Sequence, residues 1–191
     1  MKKLLGLLLI GCLPNLVALG QGTVIFANGA AGVNAPVRDA WYPWGTGVLL
    51  TGPRFAADLL VGAAGINDPW YLQPCGFVVP FSTGLDAGYF FGGVQTIPGT
   101  GAEQTVSLAV GVWDTALGPT FSAARSSWGL AWGYSNPIQV RLGGGIMPPP
   151  AMVGLHPFRL WTPIPEPPVA WLTAIGCLSL WLFRPRKQFG S

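Results

Sequence analysis

Between Gln21 and Thr162 the hydrophobic residues fall in short runs punctuated by Gly and Pro, and no stretch repeats every 3.6 residues between caps. The clearest rhythm has period two. Val106, Leu108, Val110 and Val112 alternate with Ser107, Ala109, Gly111 and Trp113, which predicts a strand with one larger-residue face. Further strands are predicted at Thr23–Ala27, over the apolar run Phe55–Ala63 with its one acid (Asp58), and at Phe77–Phe81, Pro137–Leu142 and Leu155–Trp161. Turn signals separate them: Asn28-Gly29, Gly52-Pro53, Asn67-Asp68-Pro69, Gly92-Gly93, Pro98-Gly99 and Gly118-Pro119. Gly143–Pro150 reads as a loop that carries the chain across to a last strand. About seven to nine short strands predict an all-β fold: a single β-sandwich, jelly-roll or Greek-key-like, with little helix.

The two ends follow a different pattern. Lys2 and Lys3 precede the apolar run Leu4–Ile10, and Ala18 and Gly20 place small residues three and one positions before Gln21. That order predicts a signal peptide over 1–20, cleaved before Gln21, with a signal helix. Leu9-Ile10-Gly11-Cys12 loosely resembles a lipid-attachment box, but the apolar stretch before it is very short. At the other end Pro163-Ile164-Pro165-Glu166-Pro167-Pro168 is stiff and extended, because each Pro fixes φ and disfavours helix in the residue before it. Val169–Phe183 then runs without a charge, and Arg184-Pro185-Arg186-Lys187 follows. As a helix the run would span about 22 Å, short against a hydrocarbon core of about 30 Å. A short C-terminal transmembrane helix is therefore expected, with its basic end cytoplasmic and the main domain (21–162) outside.

Composition sharpens this division. Of 191 residues 9% are charged, against about 25% in ordinary globular chains. The formal charge of +3 comes from the ends. Residues 21–162 hold five Arg against five Asp and Glu103, a net of −1, which leaves no basic face for nucleic acid. The three cysteines, Cys12, Cys75 and Cys177, fall one to a segment, so Cys75 stands alone in the exported part, without a disulfide framework or zinc set.

Pro165-Glu166-Pro167, one short apolar helix, and the basic cluster Arg184, Arg186 and Lys187 stand in that order over roughly the last 27 residues. This segment (163–191) resembles the PEP-CTERM sorting signal of bacterial exported proteins. The resemblance implies recognition of the Pro-Glu-Pro motif by an exosortase, a membrane-embedded transpeptidase. Removal of the helix would pass the domain to the cell surface, often alongside exopolysaccharide. Pro168 directly after the motif and Pro185 within the basic run depart from the pattern. A plain single-span anchor is the alternative. Gly22–Asn28 and Asn34–Val37 further resemble the openings of β-rich proteins that carry this signal.

Candidate chemistry is sparse. His156 is the only histidine and has no second metal ligand near it in sequence. No Gly-x-Ser-x-Gly elbow accompanies it, and Gly143-Gly144-Gly145 lacks the Lys-Ser/Thr of a phosphate loop. Glu103 reads as a turn acid, Asp86 and Asp114 as acids at strand ends, and Cys75 as a small buried residue. Neither enzyme activity nor a cofactor is expected. Aromatics are the remaining feature. Trp41, Tyr42 and Trp44, with Trp70 and Tyr71, fall in predicted loops, where they form a candidate glycan platform. Filling the core or capping its ends is the alternative for such residues. The expected role is a surface-sorted, non-enzymatic envelope or matrix protein; a carbohydrate-binding module comes second and a glycoside hydrolase third. Its expected partners are signal peptidase and the translocon, the exosortase-like enzyme, the membrane through 169–183, and exopolysaccharide.

Overall fold

The computed structural model describes residues 20–39, 47–127 and 131–160. The signal region up to 19, the loop aromatics Trp41, Tyr42 and Trp44, and the whole of 161–191 lie outside them. Among the described residues no helix is long and apolar enough to cross a membrane.

The fold is all-β. Its first half holds β1 (Gln21–Ala27), β2 (Val37–Arg38), β3 (Phe55–Ala63), β4 (Gln73–Pro74), β5 (Val79–Pro80) and β6 (Phe91–Gly101). The second half adds β7 (Thr105–Asp114), one short helix α1 (Phe121–Ser126), β8 (Trp132–Tyr134), β9 (Ile138–Arg141) and β10 (Phe158–Arg159). Strands β3 and β7 pair antiparallel along their lengths, from Phe55↔Asp114 to Ala63↔Val106. Each outer edge of this pair is shared by two short strands, β4 and β5 beside β3, and β8 and β9 beside β7. Elsewhere β1 pairs antiparallel with β6, and β2 pairs parallel with β10.

Period two sends the apolar side chains of the central pair to two opposite faces. Val106, Leu108, Val110 and Val112, with Ala57 and Leu59, enter the main core with Val24 and Phe26 of β1, Ile97 of β6 and Val37 of β2. Ala109 and Trp113, with Ala56 and Leu60, face a second cluster formed by Leu72 and by Phe121 and Ala124 of α1. Burial on both faces turns an alternating strand into a near-continuous apolar one. Gly111 belongs to this arrangement: a Cβ there would lie 2.8 Å from the Phe121 ring.

Splitting each edge into two strands leaves backbone groups that the ladder does not reach, and polar side chains take them over. Asp58, 1% exposed, accepts from the amides of Phe77 (2.9 Å) and Gly76 (3.3 Å) in the β4–β5 link. On the other edge the Ser135 hydroxyl accepts from Val110 N at 2.9 Å and donates to the Asn136 carbonyl. Buried polar groups without such partners would cost about 1–3 kcal/mol each. Burial holds the Asp58 carboxyl above its ordinary value of 3.8, against the lowering effect of the amides it accepts from. The folded chain therefore binds an extra proton between 3.8 and that raised value. This contribution to stability is fully present below 3.8 and is lost as pH rises through the folded pKa. Urea midpoints measured from pH 3.5 to 7 should show wild type losing stability relative to Asp58→Asn as pH rises. A difference that is flat, or that grows with pH, contradicts the assignment.

Several expected elements change on inspection. Gly92-Gly93 and Pro98-Gly99 are not turns between strands: β6 runs through both pairs. The register against β1 shifts at both places, between Ile25 and Ala27 and between Gln21 and Thr23. Gly93 (φ +70°) and Gly99 (φ +72°) supply the left-handed backbone at these irregularities. The strand expected over Phe77–Phe81 shortens to Val79–Pro80, because Asp58 takes up the amides of Gly76 and Phe77. Among the described residues of the strand expected over Leu155–Trp161, Phe158–Arg159 form the strand, and His156 N instead donates to Asn136 Oδ1 at 2.9 Å. Asn28-Gly29 does bend, but Asn28 is a buried bracket whose side chain bonds to Ala35, Gly88 and Phe90. At the ends of the expected crossing loop, Gly143 and Ala151 make isolated bridges to Thr23 and Ile25 of β1.

Candidate functional site

A group of aromatic residues, Trp70, Trp113, Phe121, Trp132 and Tyr134, converges on one side of the central sheet, around α1. Trp70 sits on a 3-10 turn, Pro69–Tyr71, started by Pro69 and capped by Asp68, whose Oδ1 accepts from Trp70 N at 2.9 Å. Thr120 caps α1 in the same way, its hydroxyl accepting from Ala123 N at 3.2 Å. The helix carries Arg125 to Trp70, where the guanidinium lies 4.6 Å from the ring centroid and Nη1 donates to the Trp70 carbonyl at 3.2 Å. Stacking and hydrogen bond together fix the indole although 48% of Trp70 is exposed.

Strand β8 supplies the other rings. Trp132 and Tyr134 are two residues apart, so both project from one face of the strand, opposite Trp113 and Gly111 of β7. Trp132 meets the edge of Phe121 at 6.2 Å (80°), and Phe121 in turn packs on Trp113 at 6.0 Å. The half-buried Trp132 is thus anchored through Phe121 to the fully buried Trp113, whose Nε1 donates to the Gly118 carbonyl. Trp70 and Trp132 lie 6.5 Å apart at 44°, and Trp132 and Tyr134 lie 6.1 Å apart at 42°. Trp70, Trp132, Gly133, Tyr134 and Arg159 line a groove of about 360 Å³ with mostly apolar walls.

Of the expected glycan platform, Trp70 lines this groove. Tyr71, 66% exposed, is beside it in sequence but not among the lining residues. Trp41, Tyr42 and Trp44 lie outside the described residues. The partners that Trp70 does meet, Trp132 and Tyr134, carried a usable signal: two aromatics flanking one Gly are a period-two pattern. Arg125 and Arg159 carried none, since only the fold brings them near Trp70.

The acids are engaged in structural work. Asp114 pairs with Arg54 at 2.8 Å and caps the following turn through Ala116 N; Asp68 caps its own turn; Glu103 pairs with Arg141. Burial, and then the charge of Asp58, push the Cys75 thiol up to about 12, which keeps it unreactive at neutral pH. His156 is exposed. Among the described residues no group of three or more His, Cys, Asp or Glu could hold a metal ion. Compared with known proteins, the chain matches no family model, no curated protein and no solved structure.

Proposed function

We propose that this chain is an exported, non-enzymatic β-sandwich protein of the cell envelope or extracellular matrix. It enters the secretion translocon, loses residues 1–20 to signal peptidase, and is held briefly in the inner membrane by 169–183. An exosortase-like transpeptidase then acts at Pro165-Glu166-Pro167 and passes the domain to the cell surface or beyond. The observation that carries this reading is the ordered tail: motif, apolar run, and the basic stop at Arg184, Arg186 and Lys187. Changing Pro165-Glu166-Pro167 to three alanines should hold the chain in the membrane fraction; release equal to wild type would overturn the reading.

A second reading, a carbohydrate-binding module, is favoured by the exposed indole of Trp70 and its ring neighbours.

A further inference from the structure

We infer that the groove between Trp70, Trp132 and Tyr134 is a binding site for a single chain of neutral polysaccharide whose backbone curves. The inference rests on the carbohydrate-binding reading and is independent of the sorting reading. Three observations carry it.

First, the Trp70 ring is held open by its surroundings, while Trp132 and Tyr134 are half-buried beside it. Trp70 is braced by Arg125 on the helix and by Asp68 beneath its turn, yet nearly half of it faces solvent. A side chain serving only the core would gain more by burying that area.

Second, the lining is amphipathic in the way a sugar ring is. Indole and phenol faces offer apolar surface, while the same residues carry N–H and O–H groups. Pyranose rings present C–H faces bordered by hydroxyls, so stacking and rim hydrogen bonds can form together. A polyanion is disfavoured: residues 21–162 carry a net charge of −1, and Arg125 is engaged with Trp70.

Third, the rings do not form a flat platform. Neighbouring planes are inclined to each other by 44° and 42°. A flat, ribbon-like chain cannot stack on all three rings at once, whereas a chain that turns between residues can follow them. The geometry therefore favours β-1,3- or α-1,4-linked glucans over β-1,4-linked ones.

Affinity electrophoresis of the full chain in mild detergent tests this, with laminarin, soluble amylose, hydroxyethyl cellulose or alginate in the gel. A synthetic Pro163–Pro168 peptide is titrated separately by tryptophan fluorescence. Retardation by laminarin or amylose should exceed that by hydroxyethyl cellulose. Trp70→Ala, on an exposed turn, should weaken it by about tenfold or more, the scale of stacking on one aromatic ring. Trp132→Phe, which keeps the packing on Phe121, should weaken it less, and Tyr71→Ala should leave it unchanged. No retardation by laminarin or amylose overturns the inference, as does equal retardation of wild type and a folded Trp70→Ala. Binding confined to alginate or to the peptide does so too. None of these results bears on cleavage at the Pro-Glu-Pro motif.

Discussion

Replacing Asn28 by alanine is expected to destabilise the fold by about 3–5 kcal/mol, a large part of the 5–15 kcal/mol typical of a single domain. Asn28 is fully buried at the end of β1. Its Nδ2 donates to the carbonyls of Ala35 (2.8 Å) and Gly88 (2.9 Å), and its Oδ1 accepts from Phe90 N at 2.8 Å. The Gly88 carbonyl keeps a second donor, Val37 N. Truncation would therefore strand the Phe90 amide and the Ala35 carbonyl in the interior and open a cavity beside them. Asn28→Asp keeps the shape but loses both donors, so it should be nearly as harmful at neutral pH. Urea unfolding followed by tryptophan fluorescence measures both effects. A loss below about 1 kcal/mol for Asn28→Ala would mean that the bracket does not hold these segments together.

Gly111→Val should be the next most damaging change, costing about 2–4 kcal/mol by overpacking. The added Cβ would come within 2.8–2.9 Å of three ring atoms of Phe121, and the branched methyls closer still. Phe121 cannot yield without losing its contacts with Trp113 and Trp132. The same variant should therefore disturb the groove, although Gly111 does not line it. A double-mutant cycle separates the causes. If the clash is with the ring, Gly111→Ala in a Phe121→Leu background should cost at least about 1 kcal/mol less than Gly111→Ala alone. Equal costs in both backgrounds would place the problem in the β7 backbone instead.

How far the fold could be read from the chain depended on whether a strand's neighbours agree with its own pattern. The apolar run of β3 was legible residue for residue, and β7 was legible because Val106, Leu108, Val110 and Val112 all face one core. Strand β6 was hidden: Gly92-Gly93 and Pro98-Gly99 look like breaks, and only pairing with β1 shows that they are irregularities within a strand. The two-residue strands are pieces of sheet edge, too short to carry a period of their own. Helix α1 was missed because Phe121 and Ala124 alone make its buried face. Asn28 shows the limit in a polar residue. Asn before Gly signals a turn, and nothing local says that its amide reaches Gly88 and Phe90, about sixty positions on. The site was half legible for the same reason. Trp70 stood out as a loop aromatic, while its assembly with Trp132, Tyr134 and Arg125 depends on the docking of α1 against β7 and β8.

The measurement that tests the central claim most directly is the intact mass of the protein from membrane, surface and medium fractions. Wild type and the variant with alanines at Pro165, Glu166 and Pro167 would be compared in cells that contain an exosortase. The expected wild-type species begins at Gln21, ends near Pro165 and is lost in the variant. A wild-type chain that retains Val169–Phe183 under those conditions would contradict it and make the tail a plain membrane anchor.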